Sequence, residues 1–211
     1  MSLNEVLIDE LRDLYSAENQ LVKALPKVVK GISDATMKQN VKDHLEVTKG
    51  QVLRLREVFG HFGKKPTGKH CNGMEGCIKE VTEALEEDYE GALKDACITG
   101  AALRVEHYEI AGYTAAIAMA KALGMKEVAD LLNESLKEET LAAKNVVNGS
   151  KPVLKAATKE EEEESDEEHE EEEEKDPEEQ ESEHESEEDE REAAPDVEGA
   201  KAPKKAAKKK K

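Results

Sequence analysis

The sequence predicts an all-α fold: a four-helix bundle with a short extra helix in its central connection, followed by a disordered charged tail. Three observations lead there. Four long segments repeat apolar residues at steps of three and four, the helical period. No segment alternates apolar and polar residues with β-branched enrichment, so no sheet is expected. The composition then changes completely near Ala157. We place the bundle at residues 1–150 and the tail at 151–211.

The first helix runs from Leu3 to about Val29, with Leu7, Leu11, Leu14, Leu21 and Leu25 on one stripe and Glu18 in its vacant slot. Pro26 should distort this helix without ending it, because the pattern continues to Gly31. The second starts near "SDAT", with Ser33 or Asp34 as N-cap. Its stripe is Val41, Leu45, Thr48, Val52, Leu55, Phe59 and Phe62, with His44 and Gln51 flanking Thr48. Residues 63–73 read as a loop, and "MEGCIKEVTEALEED" as the short extra helix. A long helix follows from Gly91 to Leu123, stopped by Gly124. The last spans Lys126 to Val147 and should end at Asn148–Gly149, with Pro152 just beyond. Its stripe is Val128, Leu132, Leu136, Glu139, Ala143 and Val146.

The 211 residues carry a net charge of −19, of which residues 160–211 hold −17. Between Glu160 and Glu198 there are 26 acidic residues against Lys175 and Arg191, and seven lysines follow to Lys211. Such a run cannot form a core and should be disordered or transiently helical. The lysines offer a weak contact to nucleic acid, in competition with the adjacent acidic block. The sequence shows no run of apolar residues long enough to cross a membrane and no secretory signal at its start. Three cysteines, Cys71, Cys77 and Cys97, suit reduced thiols in the cytoplasm, with no zinc motif.

The polar residues that interrupt the stripes fall at matching heights. In an antiparallel hairpin, facing residues have numbers that average to the loop centre. Glu18 and Thr48 average to the first turn; Glu109 and Glu139 average to Gly124, with Glu106 within a turn. Within "RVEHYEIAGY", residues 104–113, the stripe marks Glu106 as most inward, Glu109 at its edge and His107 outward. Carboxylates gathered in a bundle interior must be protonated, paired with cations such as Arg104, or bound to metal. Iron or manganese suits carboxylates with an imidazole. Ferritin-like di-metal sites place one Glu on each of two helices and Glu-x-x-His on the other two; here no Glu-x-x-His occurs in the helices. Tyr15 and Tyr113 lie one turn from candidate ligands, as core residues or hydrogen-bond donors.

"LYSAENQLVKALPKV", "HLEVTKGQVLRLREVFG", "CNGMEGCIKEV", "RVEHYEIAGYTAA" and "LLNESLKEE" together resemble the YciE/YciF family of bacterial ferritin-like proteins, over residues 4–147. The resemblance implies a cytosolic ferritin-like bundle, often a homodimer, with a dinuclear iron or manganese site related to that of rubrerythrins and a link to stress responses. It carries metal-ligand roles onto Glu18, His44, Gln51, Glu106, Glu109 and Glu139. His44 and Gln51 either ligate directly or hold the carboxylates in place. The chain departs from the family at Ala143, where members commonly carry Asp. The expectation is a metal-binding protein with iron and peroxide chemistry. The alternative is a metal-free structural or interaction module whose charged tail binds partners.

Overall fold

A computed structural model describes residues 2–173, with side chains for residues 2–159. Helix α1 is Leu3–Gly31, α2 Ala35–His61, α3 Asn72–Glu86, α4 Gly91–Ala122 and α5 Lys126–Glu173. No strand occurs among the described residues. The four long helices are α1, α2, α4 and α5, and α3 is the short helix in the central connection. By its contacts the chain divides into units at Met1–Glu163 and Glu164–Lys211.

Local chemistry sets the helix ends. Ser2 and Glu5 form a capping box: the Glu5 amide donates to Ser2 Oγ at 3.3 Å and the Ser2 amide to Glu5 Oε2 at 2.7 Å. Such a cap satisfies donors that the first helical turn leaves unpaired. Asp34 caps α2 through the Met37 amide at 2.7 Å. The turn before it is fixed to α4, because buried Asp95 accepts the amides of Ser33 and Asp34 at 2.9 and 2.6 Å. Helix α1 runs unbroken through Pro26. Gly124 takes a φ of +72°, which only glycine adopts at little cost, and turns α4 into α5.

The end expected for the last helix is not observed. Helix α5 continues through Asn148, Gly149 and Pro152 to Glu173. The buried row Ser150, Val153 and Ala157 explains why. Val153 is 4% exposed and joins a core cluster with Leu25, Val28 and Met37. Burial of that face stabilises the helix more than one lost backbone hydrogen bond at Pro152 costs. Gly149 passes close to Asn40, whose Nδ2 would lie 3.1 Å from a Cβ there. Beyond the core, glutamate favours helix and an existing helix needs no new nucleus, so the backbone stays helical to Glu173. The rest of the expected tail, with its Lys-rich end, lies outside the described residues.

Two apolar clusters fill the bundle. One surrounds Leu11, Leu14, Phe59, Tyr113 and Leu132. The other surrounds Leu21, Leu25, Met74, Ile98 and Val105. The polar layer lies where they meet, at the level of Glu18 on α1, between Leu14 and Leu21.

Candidate metal centre

Each long helix delivers at least one polar side chain to this level. Glu18, Gln51 and Glu139 are fully buried, Glu109 is 1% exposed and Glu106 is 5% exposed. His44 stands at the edge of the group. One donor atom each from His44, Glu106, Glu109 and Glu139 lies within 4.8 Å of all the others. His44 Nε2 is 3.5 Å from Glu106 Oε1 and 4.0 Å from Glu139 Oε2. Glu18 shares the layer, with its Oε1 accepting a short hydrogen bond from the Tyr113 hydroxyl. Gln51 donates to Glu139 Oε1 in another short contact, and to Glu138 Oε2 at 3.2 Å.

Of the three charged groups in "RVEHYEIAGY", the order of depth differs from expectation. Glu109, not Glu106, is the deeper carboxylate. The buried face of α4 is centred on Val105, Glu109, Tyr113, Ala116 and Ala120, a step around from the stripe through Leu103 and Ile110, which are only partly buried. Helix α3 covers a flank of α4 that would otherwise face solvent, so hydrophobicity alone misjudges the inward direction. His107 is exposed, and its Nδ1 lies 2.9 Å from the Leu103 carbonyl oxygen.

Other polar positions are satisfied locally. The Thr48 hydroxyl donates to the His44 carbonyl at 2.9 Å, within its own helix. Tyr15 packs edge-on against Phe59, and its hydroxyl accepts from Arg56 Nε at 3.2 Å, away from the carboxylates. Arg104 pairs with Glu80 on α3, not with the interior glutamates. The cation beside the layer is Arg54, which sequence reasoning missed. Its guanidinium clamps Glu138 at 2.8 and 2.9 Å and donates to Ser135 Oγ at 2.8 Å. The signal was present: Arg54 lies three residues after Gln51, and Glu138 directly precedes Glu139.

The interior carboxylates are therefore left without cations. Among the described residues, seven buried side-chain atoms have no hydrogen-bond partner: Glu18 Oε2, His44 Nε2, Gln51 Oε1, Glu106 Oε2, both Glu109 oxygens and Glu139 Oε2. Burial pushes the Glu18 carboxyl well above its ordinary range, and the charge on Glu139 adds to this. Glu106 is raised by burial and then by Glu139. Glu109 is raised by burial, then by Glu18, Glu139 and Glu106. Burial lowers the basicity of His44, leaving a neutral imidazole with a free lone pair. Burial and the neighbouring Glu18 keep Tyr113 protonated as a donor.

These features define a class: a helical bundle with a buried carboxylate–imidazole cluster between its two cores. The chain belongs to the family described as a domain of unknown function, DUF892, whose profile matches residues 2–163. It is similar to the protein YciF of Escherichia coli strain K12, with 39% identity over 139 residues, covering 65% of this chain and 84% of that one. The crystal structure of the E. coli stress protein YciF superposes with a TM-score of 0.71 at 35% identity, covering 74% of this chain and 98% of that one. YcfI from Rhodopseudomonas palustris gives 0.68 at 38% identity, covering 69% and 93%. A Xanthomonas campestris protein shares the fold at 20% identity, with a TM-score of 0.60 over 76% and 99% of the two chains. The resemblance to the YciE/YciF family and the ferritin-like bundle thus hold. No described helix is long and apolar enough to cross a membrane.

Proposed function

We propose that the bundle binds divalent metal at this centre, as a dinuclear carboxylate site for iron or manganese. The observation that carries the reading is the set of seven unpartnered buried polar atoms in this layer, with donor atoms of His44, Glu106, Glu109 and Glu139 within 4.8 Å of one another. An unsatisfied buried polar group costs about 1–3 kcal/mol, more when charged. Seven would cost roughly 7–20 kcal/mol, which rivals the whole stability of a domain, about 5–15 kcal/mol. Protons relieve part of that cost. Metal relieves it more fully, because each carboxylate then contributes a bond instead of a repulsion.

His44, Glu106, Glu109 and Glu139 would hold one ion. Glu18, in the same layer, would help to hold a second. Charge supports two ions: four ionised glutamates carry four negative charges, which two divalent cations balance. Oxygen and imidazole donors match iron and manganese and disfavour thiophilic metals. Gln51 would orient Glu139 and Tyr113 would orient Glu18. Bound iron supplies one-electron chemistry toward peroxide or oxygen. A stress-response role follows from the similarity to the E. coli stress protein YciF, and we extend the reading to a cytoplasmic homodimer.

Metal analysis of purified protein, reconstituted anaerobically with Fe(II) or Mn(II), tests the assignment. We expect about two ions per chain in the wild type, and under half of that in a Glu106→Gln/Glu139→Gln variant that keeps its helical spectrum. Well under one ion per chain in the wild type, or equal loading of the variant, overturns it.

A further inference from the structure

The two sides of the polar layer differ in what stands behind them. Toward the α1–α2 turn, His44 and Glu106 border an apolar cavity of about 460 Å³ that opens to solvent beside exposed Leu141. Glu18, Gln51 and Glu139 are fully buried, so whatever holds them comes from the protein itself. Two chains of contacts reach them, and both begin at Arg54.

The first chain runs through Glu138. Arg54 Nη1 and Nη2 donate to Glu138 Oε2 and Oε1 at 2.8 and 2.9 Å. Gln51 Nε2 donates to the same Glu138 Oε2 at 3.2 Å and, in its short contact, to Glu139 Oε1. The two amide hydrogens of Gln51 meet two carboxylates. The reverse orientation would set its carbonyl oxygen against both and lose both bonds. The second chain runs through Ser135, which is fully buried. Its hydroxyl accepts from Arg54 Nη1 at 2.8 Å and lies beside the hydroxyl of Tyr113, the donor to Glu18. Arg54 Nε faces Glu134 at 3.4 Å. Each guanidinium nitrogen has a partner on α5, which fixes the plane of the group.

A cation beside a metal centre opposes binding unless it is matched. Here Glu138 and Glu134 match it, and the charges of Glu138 and Arg54 act on Glu18 with opposite sign. An ion pair alone would tie α2 to α5. The continuation of both chains to Glu139 and Glu18 is what points to the layer. We propose that Arg54 is a positioning residue of the metal centre, fixing Glu139 through Glu138 and Gln51, and Glu18 through Ser135 and Tyr113. That role rests on the proposed metal function; the contacts around Gln51 do not.

The test is calorimetric titration of the full-length, metal-free protein with Mn(II), beside NMR of the Gln51 side-chain amide without metal. Arg54→Lys keeps the charge and loses the planar fork. We expect it to weaken Mn(II) binding about tenfold, the lower end of the effect of groups that support ligands, with the helical spectrum kept. Arg54→Met removes a positive charge from beside the layer, so charge alone would tighten binding; we expect it to weaken. Either variant decides the matter if the other misfolds. On a Gln51→Met background, where the chain to Glu139 is already cut, Arg54→Lys should cost distinctly less. Wild-type affinity in Arg54→Lys, tighter binding in Arg54→Met, or an undiminished loss on the Gln51→Met background overturns the proposal. In metal-free protein, Arg54→Lys should shift the Gln51 amide protons and speed their exchange; unchanged resonances overturn it whether or not metal binds. Failure of the wild type to take up Mn(II) at all refutes the metal reading instead, and is distinct from each of these results.

Discussion

Substituting Glu109 by glutamine should have opposite effects on the metal-free and metal-loaded protein. Glu109 is 1% exposed, neither oxygen has a partner, and three other carboxylates surround it. Without metal the folded chain holds a proton on this group that the unfolded chain releases above its ordinary value of 4.5. The associated stability is full below 4.5 and is lost as pH rises, by about 1.4 kcal/mol per unit while the folded group stays protonated. Between pH 4.5 and 7 the loss is at most about 3.4 kcal/mol. Glutamine has nearly the same shape and no proton to lose. Metal-free Glu109→Gln should therefore melt above wild type at pH 7 by up to about 7–14 °C, taking 2–4 °C per kcal/mol for this size. Near pH 4.5 the two should melt together. Metal reverses the order. At a free ion concentration 100 times the dissociation constant, wild type gains about 2.7 kcal/mol, and the variant should gain little. Calorimetric melts of chelator-treated and Mn(II)-loaded protein at both pH values give all four numbers. The reasoning fails if metal-free Glu109→Gln melts below wild type at pH 7, or if Mn(II) raises both proteins equally.

Other substitutions probe neighbouring parts of the same structure. Tyr113→Phe removes the donor to Glu18 and leaves a second buried oxygen unpaired, so the metal-free protein should lose about 1–3 kcal/mol by chemical denaturation; an unchanged midpoint would show that the hydroxyl does not support Glu18. Gly73→Ala would place a Cβ 2.3 Å from the Tyr108 ring, and a cost of about 1–3 kcal/mol is expected from forcing the ring aside; a melting temperature equal to wild type would contradict that packing. Val153→Asp buries a charge in the extension of α5 beyond Pro152 and should cost several kcal/mol; were that segment not packed, the melt would be unaffected. Acid should also expose His44. Burial keeps it neutral in the folded chain, while the unfolded chain binds a proton below its ordinary 6.5, so this group destabilises the protein as pH falls below that value, opposite to the glutamates. A His44→Gln variant should lose that component of the acid sensitivity.

Much of this arrangement could be read before the fold was known. The 3–4 spacing marked every long helix, and the averaging of residue numbers within each hairpin paired Glu18 with Thr48 and Glu106 and Glu109 with Glu139, all near the middle of their helices. What escaped notice has identifiable physical causes. The relative depth of Glu106 and Glu109 depends on α3 lying against α4, a tertiary contact that no single-helix pattern contains. The continuation of α5 past Gly149 and Pro152 was hidden because those residues are local stop signals, outweighed here by burial of Val153 and Ala157. Thr48 looked like part of the polar layer because its burial was correct, yet its hydroxyl is satisfied inside α2. The cavity was the least legible feature. Ala24, Ala102 and Ala142 line the apolar cavity beside the carboxylates, and a small residue in a helix pattern is compatible with close packing or with a gap. Only the axial separation of helices, fixed by the larger side chains around them, decides whether an alanine closes a gap or leaves one. Here the gap ends at His44 and Glu106, so the residues that leave room also determine what can reach the carboxylates.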